Sequence, residues 1–593
     1  MAEKDSGPKS SWPVPILLLV TLAGGYLFTQ SPLKSFRPLH ESLNTSSINI
    51  DQQVPARLWQ DPLEAVIQYK LKDDHFLVES AEMTKQIQDV INGTASTDDR
   101  GKDPTSKLTV LISTLDDSPY SEGRETRIRV RYAVGVALDH VCYVPESSES
   151  VGLMTWTANK LDSQGTVMNE LVKGKTVDKK VPLEVPFEWY RKRKVVTCAN
   201  AKQYPDRLLV LWVKSSDIDK APLHYLNQLV TVLVPPPSKH RPSPVAIKLL
   251  GPWGSDALRV MMKSAKTKGR SLSWSGGRVE LLSPWATADP LLLLGTDMPV
   301  VLEKPLIDLG IESPRGEIAK SFKEARIDWV YSVGSDRDIM AQLGEELARR
   351  QVDIGHANIA VVSEWDTFYG RMLPLEFRAT AVCKRLHNTF CAFDDEWRQA
   401  LNTSRNADVW QNKAQDDADP KIDRYTYMRG LDGEMAHEER PPAAKSRKLD
   451  QDSIYELWKD EKSISSLERP DGPSQYDYVR RLAAQLKHGQ TAEHPYVAIG
   501  VLGSDPYDKL LILQALRDEF PDVIFFTTDL DARFLHPSQQ SWARNLIIAS
   551  PFGLRLDDEH QRDIPPFRDS YQSAAYHALI TSLTITSVNP TNP

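Results

Sequence analysis

The sequence predicts an α/β protein made of repeated strand-then-helix units, and three observations predict it. Short apolar runs such as Val245–Leu250, Asn358–Ser363 and Tyr496–Leu502 are each followed by a stretch with helical apolar spacing. The runs are almost continuously apolar rather than alternating, as parallel strands covered on both faces require. Gly, Ser and Asp cluster at the junctions, where a strand turns into a helix.

At 593 residues the chain is long enough for at least two hydrophobic cores with linkers between them. Its 41% hydrophobic and 26% charged residues are close to globular averages, which excludes a polytopic membrane protein or a wholly disordered chain. A formal net charge of -8 supplies no basic field for a phosphate backbone, so no nucleic-acid partner is expected.

After a short tail, residues 1–11, the run WPVPILLLVTLAGGYLF from Trp12 to Phe28 carries no charge and offers no convincing small-x-small cleavage site, which favours an uncleaved anchor over a signal peptide. It predicts a single transmembrane anchor over residues 12–29 and hence a membrane partner. Lys4 and Lys9 before it are balanced by Lys34 and Arg37 after it, so orientation rests on weak grounds, and an extracytoplasmic body is the expectation. Residues 30–106 are polar and irregular, with a helix expected near Asp61 to Lys70, and read as a stalk.

The α/β pattern begins in residues 107–234, with strands at Leu108–Ile112, Gly152–Trp156 and Leu208–Val213 and a helix from Ser121 to Asp139. This region fits either the first lobe of a larger body or a separate module. The proline-rich segment 235–244 breaks regular structure. In residues 245–401 strand–helix pairs follow at Val245–Leu250 with Ser255–Ser264, Ile327–Val333 with Asp336–Arg350, and Asn358–Ser363 with a helix near Tyr369. Residues 402–470 are charged and read as an exposed insertion, with a short hairpin or turn at Tyr425–Gly433. Residues 471–593 close the series with Tyr496–Leu502, Tyr507–Phe520, Val523–Thr527, Asn545–Ser550 and a last helix from Ser570 to Ile580.

The most informative motif recurs at three junctions: Gly254-Ser255-Asp256, Gly334-Ser335-Asp336 and Gly503-Ser504-Asp505, with Ser363-Glu364-Trp365-Asp366 as a relative. Glycine allows the sharp turn, and Ser or Asp accepts from the unpaired amides of the first helical turn. Helix capping explains each triplet alone. In an open parallel sheet, however, the carboxyl ends of strands line one crevice where ligands bind, and exposed helix amino termini there favour an anionic group.

The segments VAIKLLGPWGSDALRVMM, ANIAVVSEWDTFYGR and YVAIGVLGSDPYDKLLILQALRDEFPDVIFFTTD resemble the strand–helix units of type I periplasmic-binding proteins, the group of the branched-chain amino acid receptors, over residues 245–580. The resemblance implies two Rossmann-like lobes with mostly parallel sheets flanked by helices, a small anionic or amino-acid-like ligand in the cleft, and lobe closure on binding. It implies no cofactor. Carried onto this chain, the cleft-facing candidates are Ser255, Asp256, Ser335, Asp336, Ser363, Asp366, Tyr369, Ser504, Asp505 and Tyr507. The anchor and the charged insertion depart from a transport receptor and favour a tethered sensor or a scaffold with a protein partner.

Other features carry less. The strand Val523–Thr527 runs into Asp529-Leu-Asp531, which resembles the paired carboxylates of haloacid-dehalogenase phosphatases, but too few residues follow for that sheet, and Ala532 stands where Thr or Val is expected. No hydrolase elbow, phosphate loop or zinc-protease motif occurs, so a non-enzymatic protein is the expectation. Cys383, His387 and Cys391 have helical spacing, yet on one helix the end cysteines lie about 12 Å apart, too far to share a metal or a bond. A bend would permit a Cys383–Cys391 disulfide and point to an oxidising compartment. Arg124, Arg127 and Arg131 share a helix face that reads as solvated and paired with acids such as Glu125. Trp189–Lys194 reads as an exposed basic turn or a lipid-touching patch.

Overall fold

The computed structural model describes residues 60–64, 82–91, 108–117, 121–146, 151–162, 166–172, 175–193, 205–234, 245–266, 279–295, 304–405, 420–431, 475–490 and 494–585. The expected anchor, 12–29, lies outside these residues; among the described residues no helix is long and apolar enough to cross a membrane.

Two sheets form the frame. The first contains β1 (Leu108–Leu115), β2 (Tyr143–Pro145), β3 (Gly152–Asn159), β6 (Lys180–Lys192), β7 (Arg207–Lys214), β8 (Val245–Leu250), β9 (Val279–Leu282) and β10 (Ile327–Val330). Its order is β10-β9-β8-β1-β7-β6-β2, with β3 paired to β6. From β10 to β7 every pairing is parallel, and β6 adds an antiparallel edge. The hairpin of β4 (Asn169–Val172) and β5 (Lys175–Asp178) projects from that edge region. The second sheet is all parallel, in the order β12-β11-β13-β14-β15. Its strands are β11 (Ile359–Glu364), β12 (Ile422–Tyr427), β13 (Ala498–Leu502), β14 (Ile524–Thr528) and β15 (Ile547–Ala549).

The parallel strands of both sheets follow one rule: the second strand of each set lies outside the first, and the third to fifth lie on the other side. This is a doubly wound order, with a topological switch point between the first and third strands. In the first lobe that point lies between β1 and β8, in the second between β11 and β13.

Apolar side chains on both faces drive the arrangement. All of β1 and β11 is buried, as the sequence pattern predicts. Helix α1 (Ser121–His140) covers one face of the first sheet, and α2 (Pro222–Leu233) and α3 (Ser255–Lys266) the other. In the second lobe α4 (Asp336–Arg349) and α5 (Phe368–His387) cover one face, with α6 (Tyr476–Gly489) and α7 (Pro506–Glu519) opposite. Helix α5 is buried on two sides. Leu373, Phe377 and Ala381 face the second sheet, while Phe368, Met372, Leu375 and Ala379 pack into the first lobe's core. The lobes therefore share a hydrophobic seam. The chain crosses between them after β10 and returns through α8 (Ser570–Ile585), whose Ala575, Tyr576, Leu579 and Ile580 pack on the α1 side of the first sheet.

Several expectations change. Residues 107–234 are not a separate module, because β1 and β7 sit in one sheet with β8, and the passage between lobes falls after Val330 rather than at the proline-rich segment. Part of the expected stalk is core: a helix over residues 82–91 buries Ile87 and Ile91 in the first lobe, and the Gln88 side chain donates to the Val232 carbonyl. Of the helix expected near Asp61 to Lys70, only residues 62–64 are helical among those described. The segment read as an exposed insertion supplies β12, an edge strand, which explains its polar alternation.

The arginines of α1 are not on a solvated face. Arg127 is buried against Asp61 at 2.9 Å, and Arg131 against Glu188 at 2.7 Å. The expected basic turn is largely strand, since β6 runs through Lys192, and Arg207 stacks 4.6 Å from the Trp189 ring centre. Helix α5 ends at His387 with Asn388 left-handed, which folds the chain back so that Cys391 bonds Cys383. The grouping of His387, Cys391 and Glu396 thus includes a sulfur already committed to a disulfide. Cys142 is also disulfide-bonded.

Candidate functional site

The carboxyl ends of the two sheets face each other across a cleft of about 860 Å³. Four parallel strands of each sheet contribute a corner. From the first lobe come Thr114–Asp116 after β1, Asp219 after β7, Pro252–Asp256 after β8, and Trp285 and Thr287 after β9. From the second come Asp366–Tyr369 after β11, Arg429 after β12, Ser504–Tyr507 after β13 and Asp529–Arg533 after β14.

Of the candidates named from sequence, Ser255, Asp256, Asp366, Tyr369, Ser504, Asp505 and Tyr507 line this cleft. Ser335 lines a different cavity of about 440 Å³, beside the Cys383–Cys391 bond. Asp336 and Ser363 are buried, and the Ser363 hydroxyl has no hydrogen-bond partner among the described residues.

The three Gly-Ser-Asp corners use their polar side chains differently. Ser335 accepts from the Asp338 amide, and Asp338 answers in a capping box. At α7 Pro506 takes the first helical position, so Asp505 becomes the cap and accepts from Tyr507 N at 2.9 Å. Ser255 already lies inside α3, and its hydroxyl accepts from Ala288 N at 3.1 Å, tying two strand ends together.

Both switch points are filled by the chain itself. In the first lobe the turn Gly251-Pro252, with Gly251 at φ +106° and a cis peptide bond, brings Trp253 over β1. Its indole nitrogen donates to the Thr114 carbonyl at 2.5 Å, and its ring lies 4.3 Å from that of Trp285. Trp285 in turn lies 5.1 Å from Tyr571, giving the cleft an aromatic floor.

In the second lobe the buried Glu364 carboxylate occupies the crevice. It accepts from Ser504 N at 2.6 Å, Ser504 Oγ at 3.1 Å and Thr367 Oγ1 at 2.7 Å. Only glycine fits at 503, where a Cβ would come within 2.6 Å of Glu364 Oε1. The positive amino terminus of α7, expected to attract an anion, therefore already holds one.

Asp529 and Asp531 are also committed. Asp529 accepts from Tyr369 Oη at 2.9 Å, Thr528 Oγ1 at 3.0 Å and Lys509 Nζ at 3.4 Å. Burial and the Asp529 charge hold the Tyr369 hydroxyl well above its ordinary pKa, as a donor. Asp531 pairs with Arg533 at 2.8 Å. Ion pairs cross from α1 to the second lobe: Glu125 meets Arg533 at 2.6 Å, and Arg129 meets Asp569 at 3.0 Å.

What remains unpaired is polarised. On the first-lobe wall Asp219 and Asp256 enter no ion pair among the described residues. Burial, together with Asp117, Asp256, Asp116 and Asp217, raises Asp219 to about 6. On the second-lobe wall Arg371, in the first turn of α5, has no side-chain hydrogen bond or ion pair among the described residues. Sequence reasoning missed Trp253, Trp285 and Arg371. Asp219 had a signal, since Ser215-Ser216-Asp217 leaves β7 as the other corners leave theirs.

A different buried group lies where the chain crosses between lobes. Asp336 begins α4, Asp289 caps the short helix Pro290–Leu294, and Glu376 lies mid-way along α5. Burial raises all three, Asp336 to about 8 and Asp289 to about 6.

No protein-family model matches the chain, and no curated protein does. Among solved structures it is similar to an ABC transporter substrate-binding protein from Desulfitobacterium hafniense in complex with Leu, at 11% identity and TM-score 0.31, covering 81% of this chain and 84% of that one. It is also similar to an extracellular ligand-binding receptor from Verminephrobacter eiseniae ef01-2, at 9% identity and TM-score 0.35, covering 82% of this chain and 86% of that one.

Proposed function

We propose that this is a non-enzymatic binding protein that takes a small polar ligand between its lobes, carried outside the cytoplasm on the anchor at residues 12–29. One observation carries the reading: two sheets of the same doubly wound order turn their carboxyl ends toward a single cleft of about 860 Å³. Clefts of this size outside the carboxyl ends of parallel strands are where such folds hold ligands. The Cys383–Cys391 disulfide supports an oxidising compartment. Commitment of Asp529 and Asp531 to protein donors favours binding over hydrolysis.

A thermal-shift screen against amino acids and small organic acids tests the reading. A ligand at 100 times its Kd, bound only by the folded state, adds about 2.7 kcal/mol and a clear rise in Tm. Attachment of a tag cysteine at the carboxyl terminus tests the orientation: labelling of intact cells by an impermeant reagent supports an outside body, and protection opposes it.

The ion pairs from Glu125 and Arg129 favour a second reading, because they bridge the lobes without a ligand. In that reading the body is a scaffold for a protein partner. A screen with no shift, together with a stable partner recovered by pull-down, would select it.

A further inference from the structure

We infer that Arg371 is the anion anchor of the cleft and that the ligand presents a carboxylate to it. The inference rests on the binding reading above and names the ligand chemistry at one end of that site. Three features converge on Arg371. It lines the cleft from the first turn of α5, where the helix dipole adds positive potential. Among the described residues its guanidinium has no hydrogen bond or ion pair, and its Nε is shielded from water without a partner. Its neighbour is another cation: burial and the Arg371 charge together push Arg424 below its ordinary pKa.

A guanidinium that no carboxylate pairs and that is felt by a second cation leaves positive charge that a bound anion neutralises. Other cleft-lining arginines are engaged: Arg129 and Arg533 are held by carboxylates, Arg127 by Asp61, and Arg259 donates to the Gly295 carbonyl at 2.7 Å. The α7 amino terminus is closed by Glu364, so it does not compete for the anion. A planar guanidinium fork matches a carboxylate in bidentate geometry, whereas the acidic wall at Asp219 and Asp256 would repel a second anionic group. The ligand is therefore an acid at the α5 end and neutral or cationic at the other.

The test is calorimetric titration and thermal shift on the full chain. The probes are L-leucine and 4-aminobutyrate, their uncharged or cationic amides, and inorganic phosphate. The carboxylates should bind and their amides should not. Arg371→Ala should weaken carboxylate binding about 10- to 100-fold, the loss of a charge-assisted contact. Arg371→Lys should recover part of it, keeping the charge without the fork. Without ligand, Arg371→Ala should melt at or above the wild-type temperature, because it removes repulsion on Arg424; a structural arginine would lower it.

Carboxylate binding unchanged in Arg371→Ala, or amides preferred by the wild type, overturns the inference and leaves the cleft a binding site. Binding of phosphate in place of every carboxylate overturns it too. If wild type responds to no probe of any charge, even in a wider neutral and cationic screen, the binding reading falls with it.

Discussion

The two switch points have the same strand order and opposite contents. In the first lobe the crevice between β1 and β8 is covered by an aromatic side chain, Trp253, bonded to a carbonyl and packed at a tilt against Trp285. In the second the crevice between β11 and β13 is filled by a carboxylate, Glu364, that satisfies a helix amino terminus. The difference teaches that topology selects the place where a strand-end crevice opens, while the local residues decide its chemistry. An apolar plug leaves a surface on which a ligand can lie, whereas a charged plug uses up the anion site that the helix would offer.

The comparison can be broken most forcefully at Glu364. Replacement by Ala strips acceptors from the Ser504 amide and two hydroxyls in a buried setting, and should cost about 4 kcal/mol in urea unfolding. Glu364→Gln should cost less, since one oxygen still accepts. A loss below about 1 kcal/mol for Glu364→Ala would mean that water satisfies the corner and that the crevice is open.

Trp253→Ala should cost about 3 kcal/mol through lost packing. Trp253→Phe keeps most of the ring area and should cost about 1 kcal/mol, the value of the bond to Thr114. If the two variants unfold alike, the hydrogen bond rather than the ring holds the first crevice.

A third contrast sets both crevices against the crossing between lobes. Asp336 loses its proton only near pH 8 in the folded protein, against an ordinary value of 3.8. Between those values the folded state retains a proton that the unfolded chain has released, so stability falls as pH rises from about 4 to 8. Asp289 and Glu376 act in the same direction. Asp336→Asn should flatten that fall, matching wild type near pH 4 and exceeding it at pH 8 in thermal melts. The smallest effect is expected at the cross-cleft pairs, where Glu125 is about a third exposed. Glu125→Ala should lower stability by about 1 kcal/mol or less while changing ligand affinity if the lobes must part.

Much of the frame was legible because it is local. The apolar runs at Leu108, Val245, Ile359 and Ala498 announce parallel strands, and the Gly-Ser-Asp corners mark their ends. Less legible were elements whose signal depends on position in the sheet. Ile422–Tyr427 looks polar because it is an edge, and Lys180–Lys192 alternates because it is antiparallel.

The site divides in the same way. Corner residues such as Asp256 and Tyr507 follow from motif spacing, but the fates of Glu364 and Arg371 do not. Glu364 reads as one more capping residue until β13 is placed beside β11. Arg127 and Arg131 read as solvated until Asp61 and Glu188, remote in sequence, are folded against them.

The return of α8 to the first lobe has a consequence for synthesis. Tyr576, Leu579 and Ile580 complete a core whose first strand lies more than four hundred residues earlier, Tyr576 Oη facing His140 Nδ1 across a separation of 436. A ribosome delivers the opening domain's lining long before its lid, so nascent chains carry an uncovered greasy surface until the final helix emerges. Loss of that helix would injure the portion of the molecule made first.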